Sequence, residues 1–341
     1  MEIIKKNLTI PYFDYYLFDE YFKGMRYCTF DIETMGLEPR RAPMILAGFM
    51  EVDQDGQAEL KQFFLDKPEE EHILLNEVIA ELNKYDLVIT YNGSRFDLPY
   101  VIKRYNMIQH EDPDIRPFDL DLYRVVKKHS TLGDILPSLS QKRVEEYMGL
   151  SPSRTDMISG AESVQLYYHY ITEADKELRE AIKETILLHN SDDVEQLYKL
   201  LPILKECDLH CALQKLGFPV LSNKIAEADI FKIAKSGITR NTLSISGTYQ
   251  GKPFSYKGFS SIGTPYELEF STNGAFSVSL QVNKNSNAYY VNLLDYFHDT
   301  EDFRLLPCYV NDYLILKEGK EIHSEELNLF IKKLLNNIKL V

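Results

Sequence analysis

Along this chain the apolar positions change period several times, and each change predicts an element. Arg26 to Ile32 (RYCTFDI) alternates over a short run and predicts a strand. Pro43 to Val52 and Ala58 to Leu65 flank DQDG, whose Asp-Gly step favours a tight hairpin turn. With the first strand they predict an antiparallel meander. From Lys67 the stretch PEEEHILLNEVIAELNKY opens with acids and then repeats apolar residues at helical spacing, so it predicts an amphipathic helix. Asp86 to Thr90 (DLVIT) is a short apolar run that predicts a strand ending at Tyr91-Asn92-Gly93, and Pro99 to Tyr105 predicts the next helix. A short strand near Arg116 to Asp119 and several helical segments follow, the longest from about Glu173 to Leu200. A meander followed by strands and helices in alternation implies a mixed sheet with helices packed on it, an α/β arrangement.

The pattern shifts near Leu209. From Ile238 onward, short strands broken by Gly, Asn and Ser dominate, as in TLSISGTYQGKPFSYKGF, YELEFS, AFSVSLQV and AYYVNLLDYF. The closing SEELNLFIKKLLNNIKL predicts an amphipathic helix opening with a capping-box pattern at Ser324. The expected organisation is an aromatic-rich arm over 1–26, an α/β domain over 27–205 and a smaller β-rich α+β domain over 206–341. No low-complexity tract or internal repeat interrupts this plan.

With 341 residues, 44% of them apolar, the chain can bury more than one core without staples. No apolar run is long enough to span a bilayer, and the start MEIIKKNLTIPYFDYY lacks a leader's apolar core, so a cytoplasmic location with no membrane association is expected. Four scattered cysteines read as reduced thiols rather than a disulfide framework. The net charge of −14 argues against a protein that coats nucleic acid with a broad basic surface. It does not exclude a nuclease, whose carboxylate site is acidic by construction and neutralised locally by divalent metal.

Asp31 and Glu33 sit at the end of the first predicted strand, two apart, so alternation puts both on one face. Burying two acids together is unfavourable unless they are paired or share a cation; a strand that simply ends at Ile32 would leave both solvated. Asp97 closes Asn92-Gly93-Ser94-Arg95-Phe96-Asp97 at a strand-to-helix junction, where a carboxylate can also act as a helix cap. His189 and Asp193 lie four apart in the long predicted helix and so share a face, with a solvated polar turn as the alternative.

Taken in order, Asp-x-Glu on a first strand, Asn-Gly-x-x-Phe-Asp before a middle helix and His-x-x-x-Asp on a late helix resemble the three motifs of the DnaQ-like DEDD 3′→5′ exonuclease superfamily, which has the ribonuclease H-like fold. HNSDDVEQL and LGDILPSLSQKRVEEYMGLS resemble the YprB-type bacterial ribonuclease H-like proteins, and the likeness spans roughly Tyr27 to Leu201. The resemblance implies that Asp31, Glu33, Asp97 and Asp193 hold two divalent cations, Mg²⁺ or Mn²⁺, and that His189 orients or deprotonates the attacking water. It also implies removal of nucleotides from a single-stranded DNA or RNA end. Two departures stand out: His189 precedes its aspartate by the spacing of the tyrosine-type enzymes, and Met35 replaces a common threonine. Asp192 is the substitute ligand if the helix is rotated. A structure-selective endonuclease and a catalytically silent nucleic-acid-binding scaffold are the alternatives.

Thr34, Met35 and Leu37 are candidates to wedge a terminal base, and Asn92 and Phe96 to line the scissile nucleotide, with core packing the alternative for Phe96. Lys103, Arg104, Arg124, Lys127, Lys128, Lys142 and Arg143 form basic clusters that suit either a phosphate track or solvated helix faces. Cys207-Asp208-Leu209-His210-Cys211 lacks the second ligand pair of a structural zinc site and reads as core cysteines. Pro11 to Phe22 reads as an aromatic clamp on the sheet edge, with stacking on nucleobases the alternative. The C-terminal domain is a candidate surface for a protein partner or self-association.

Overall fold

The computed structural model describes residues 1–150, 155, 158–222, 229–252, 254, 256–259, 263, 265–271 and 273–338. Ser151 of the connecting region, Pro253 and Ser255 of the predicted strand run, and Lys339 and Leu340 of the predicted last helix lie outside them. The strands are β1 (Glu2–Thr9), β2 (Tyr27–Thr34), β3 (Met44–Val52), β4 (Gln57–Phe64), β5 (Leu87–Thr90) and β6 (Phe118–Asp121), then β7 (Phe218–Ser222), β8 (Asp229–Thr239), β9 (Thr242–Gln250), β10 (Tyr256–Phe259), β11 (Pro265–Phe270), β12 (Ala275–Gln281), β13 (Asn283–Asn285), β14 (Ala288–Asn292), β15 (Tyr309–Val310), β16 (Tyr313–Glu318) and β17 (Glu321–Ile322). The helices are α1 (Tyr16–Phe22), α2 (Glu71–Leu82), α3 (Asp97–Gln109), α4 (Leu122–His129), α5 (Leu132–Ile135), α6 (Gln141–Tyr147), α7 (Gly160–Thr172), α8 (Lys176–Lys199), α9 (Leu209–Leu216) and α10 (Ser324–Asn336).

The chain divides into two compact units, one of Met1–Tyr16 with Met25–Cys207 and one of Leu17–Gly24 with Asp208–Val341. In the first, six strands run in the order β1-β4-β3-β2-β5-β6. The pairs β1·β4, β4·β3 and β3·β2 are antiparallel, and β2·β5 and β5·β6 are parallel. This is the expected mixed sheet with helices on it, an α/β ribonuclease H-like fold. The antiparallel part of the sheet has one more strand than the predicted meander. Within the segment read as an arm, Glu2–Thr9 pairs with β4 from Glu2↔Phe64 to Thr9↔Gln57. Its alternate side chains are half-buried and its others exposed, a weak pattern that suits a sheet edge.

Strand β3 is buried along almost its whole length because both faces of the sheet are covered there. Phe49 meets Phe30 at 4.9 Å on one side and Phe63 at 5.6 Å on the other. Helix α8 packs across β2 and β3. The Thr29 hydroxyl donates to the Val194 carbonyl at 2.9 Å and Gln62 donates to the Leu187 carbonyl at 2.8 Å, which fixes where α8 sits on the sheet. A capping box forms at α7, where Ser159 and Glu162 satisfy each other's backbone N–H groups.

The second unit holds an antiparallel sheet of order β10-β11-β12-β9-β8-β7 and a smaller sheet of order β13-β14-β16-β15 with β17 paired to β16. The short strands predicted from Ile238 onward account for most of both. The expected capping box at Ser324 does not form: His323 occupies the cap position with no side-chain cap bond. Helix α1 belongs largely to this unit, and its buried Tyr21 hydroxyl meets His210 Nδ1 at 2.7 Å and accepts from Asn328 at 2.9 Å. His210 therefore already has a partner. Among the described residues no helix is long and apolar enough to cross a membrane.

Candidate active site

The site is built on β2 where it leaves the sheet. Asp31 pairs with Gly48 and Glu33 with Leu46, and the register with β3 shifts immediately after Glu33. Such an irregularity ends regular pairing and re-aims the last side chains of a strand. Glu33 is buried and Asp31 half-buried.

Helix α8 supplies the facing residues. His189, 3% exposed, places Nε2 3.5 Å from Glu33 Oε1 and 3.7 Å from Asp193 Oδ2. One ligand atom from each of Glu33, His189 and Asp193 lies within 4.8 Å of the other two. Asp192 points elsewhere, accepting from the Thr155 backbone N–H at 2.5 Å and from its hydroxyl at 3.1 Å. The helix is therefore phased to present Asp193 rather than the substitute.

Asp97 is supplied by the junction between β5 and α3. Asn92 adopts φ 64°, a left-handed conformation that asparagine tolerates, and a Cβ on Gly93 would fall 2.4 Å from Thr90 Cβ. Asp121 holds this turn by accepting from Asn92 N at 2.8 Å and from Ser94, and it also caps α4. Asp97 itself is not a side-chain cap. It is the first residue of α3, and its Oδ1 accepts from the Ile32 N–H on β2 at 3.2 Å.

Electrostatics bind these acids into one group. Burial, then the charges of Asp97, Asp193 and Glu33, push Asp31 well above the usual carboxylate range, and its bond from Asn190 only partly opposes this. Burial pushes Asp97 up to about 7 against two backbone hydrogen bonds, with Asp121 and Asp193 adding to the rise. Carboxylates that repel one another in a dry setting are the arrangement a divalent cation reverses, so the donor set fits such an ion. Carboxylate oxygens are the donors that hard divalent cations take.

Three supporting residues were not among the candidates read from the sequence. Asn190 Nδ2 donates to Asp31 Oδ2 at 3.0 Å, and Gln62 on β4 donates to Asn190 Oδ1 at 3.0 Å. Gly48 makes room for this bridge, because a Cβ there would lie 2.2 Å from Asn190 Oδ1. Asn190 stands beside His189 in the motif, and that adjacency was the available signal.

The candidate substrate residues scatter. Leu37 is 84% exposed, whereas Thr34 is buried with its hydroxyl on the Gly36 carbonyl. Met35 and Phe96 pack against the core, Phe96 at 5.4 Å from the Tyr100 ring. Of the basic residues, Arg104 is committed to the fold: it forms a paired contact with buried Glu71 and donates to the Pro39 carbonyl at 2.9 Å. Glu71 also accepts from Met44 N at 2.9 Å, so the ion pair ties α2 and α3 to the start of β3. Lys103 lies 4.0 Å from Glu38, and Arg143 2.7 Å from Glu146, on exposed surface.

Residues 28–205 match the family model described as the RNase_H superfamily, and the chain belongs to that superfamily. It is 32% identical over 177 residues to the uncharacterized protein YprB of Bacillus subtilis (strain 168), a match covering 50% of this chain and 40% of that protein. Among solved structures it is similar to the family B DNA polymerase of the archaeon Pyrobaculum calidifontis, at 20% identity and TM-score 0.40 over 53% of this chain and 24% of that one. It is also similar to E. coli Exonuclease I in complex with a dT13 oligonucleotide, at 14% identity and TM-score 0.28 over 65% of this chain and 55% of that one. The chain thus spans less than two thirds of each of these proteins.

Proposed function

We propose that this protein is a metal-dependent nuclease that hydrolyses phosphodiester bonds, removing nucleotides 3′→5′ from single-stranded ends of DNA or RNA. The observation that carries the reading is the convergence of buried and half-buried carboxylates from β2, α3 and α8 on one strand end, with the His189 imidazole between Glu33 and Asp193. Asp31, Glu33, Asp97 and Asp193 would hold two divalent cations, Mg²⁺ or Mn²⁺. Such cations, when bound, make water a nucleophile near neutral pH and stabilise the leaving oxygen of an in-line displacement.

The chain's own residues divide the remaining work. Asn190 holds Asp31 and Ile32 N–H holds Asp97, so the acids keep their places in spite of their mutual repulsion. His189 accepts the proton of the attacking water, its Nε2 standing 3.5 Å from Glu33 and 3.7 Å from Asp193. Leu37 would pack against a terminal base, a role that its exposure on the loop after β2 supports.

The test is degradation of end-labelled single-stranded DNA and RNA with Mg²⁺ or Mn²⁺. Metal-dependent shortening from the 3′ end, abolished by Asp31→Ala and by Asp193→Ala, is expected. Internal cutting would overturn the polarity, and a folded wild type that cuts neither polymer would overturn the activity.

A further inference from the structure

The second unit gathers another set of donors, of a different chemistry. Cys308 immediately precedes β15, Glu318 closes β16, His323 is the cap residue of α10 and Glu326 lies in its first turn. One ligand atom from each of Cys308, His323 and Glu326 lies within 4.8 Å of the other two. Backbone pairing fixes the placement. The Cys308 carbonyl accepts from Ile315 N at 3.1 Å, His323 N donates to the Leu316 carbonyl at 3.0 Å, and Cys308 N donates to Glu326 Oε1 at 3.2 Å. Both the cysteine and the histidine are thus anchored on the same strand, β16.

His323 Nε2 is buried and has no hydrogen-bond partner. Glu318 Oε2 stands 3.7 Å away, beyond hydrogen-bond reach. A buried ring nitrogen left in this way gives up its hydrogen bonds to water with nothing in return, so its retention needs a reason.

We propose that Cys308, His323 and Glu326 form a transition-metal site, suited to Zn²⁺, with Glu318 or water as the fourth ligand. Zinc bonds of about 2.0–2.3 Å place tetrahedral neighbours about 3.3–3.8 Å apart, so donors within 4.8 Å reach that geometry by small side-chain rotations. Sulfur and nitrogen donors select zinc-like ions and not Mg²⁺ or Ca²⁺. The surroundings suit a cation: Glu326, Glu318 and Glu321 put carboxylates around the Cys308 thiol. Ligation sends the thiol proton to solvent and leaves the thiolate paired with the ion. Bound there, the ion ties the β15–β16 pair to the start of α10, a structural staple of the unit.

The probe is Co²⁺, followed by Zn²⁺, titrated into the full chain after chelator treatment. We expect a thiolate-to-cobalt charge-transfer band that saturates at one equivalent and is displaced by Zn²⁺. The carboxylate cluster on β2 has no sulfur ligand and cannot give this band. Cys308→Ser should abolish it, and Cys211→Ser should leave it intact. Should Cys308→Ser fail to fold, His323→Gln supplies the reading, with cobalt affinity down by about tenfold or more and no rise in Tm on adding Zn²⁺. Absence of the band from folded wild type, or its persistence in folded Cys308→Ser, overturns the site.

Discussion

The carboxylate cluster on β2 and the thiol–imidazole cluster beside α10 are assembled in different ways. The first draws on β2, α3 and α8, so its geometry depends on how distant elements pack. The second comes from consecutive pieces of one hairpin and the helix that follows, so short-range pairing along the chain sets it. The consequence shows in what surrounds them. The first needs a bridge through Asn190 and Gln62, a glycine opposite Asp31 and a turn held by Asp121. The second needs backbone bonds from Cys308 and His323 to β16 and one bond from the Cys308 N–H to Glu326. A centre built from distant segments is exposed to mutations that touch no ligand; one built locally is exposed mainly to loss of the ligands themselves.

That contrast can be broken most severely at the ligands. Asp31→Ala or Asp193→Ala is expected to lower metal-dependent cleavage by roughly a thousandfold, with circular dichroism unchanged. A drop of only a few-fold would mean that Asp31 and Asp193 do not form the centre. Next comes Arg104→Ala, which strands buried Glu71. It should cost about 3–5 kcal/mol in denaturant unfolding while the rate per folded molecule holds. Weaker nucleic-acid binding at unchanged stability would instead put Arg104 on the substrate path.

The support of the first cluster gives a smaller effect. Asn190→Ala should weaken Mn²⁺ binding about 10–100-fold, and Gly48→Ala should follow it, because the new methyl displaces Asn190. Wild-type binding by both variants would show that distant assembly needs no bridge. The smallest effect is expected at Asp119 on β6. Burial, with Asp121 and Asp97, pushes this acid up to about 7 despite a bond from Thr90. Its folded value lies above the unfolded value of about 3.9, so the native state binds more protons and stability falls as pH rises from about 4 to 7. Asp119→Asn removes that loss. Because the side chain keeps some solvent contact, the gain should be about 1–2 kcal/mol at pH 8 and near zero at pH 4, measured by urea unfolding.

The sequence by itself determined what depends on local period and turn chemistry. The meander of β2, β3 and β4, helices α2 and α8, and the placing of Asp31 with Glu33 on one face all follow from alternation or helical spacing that the chain carries within a few residues. Spacing in α8 likewise put His189 and Asp193 together. Only the tertiary structure decided the rest. It set β1 against β4, turned Asp97 toward Ile32 N–H instead of capping α3, phased α8 so that Asp193 and not Asp192 meets Glu33, and took Arg104 into an ion pair with Glu71. It also left the Ser324 cap unmade, with His323 in the cap position and Glu326 accepting from Cys308. The physical reason is common to these cases. A carboxylate, a guanidinium or an amide has several partners of similar worth, and which one it meets is fixed by packing between segments far apart in the chain, where no local pattern records the pairing.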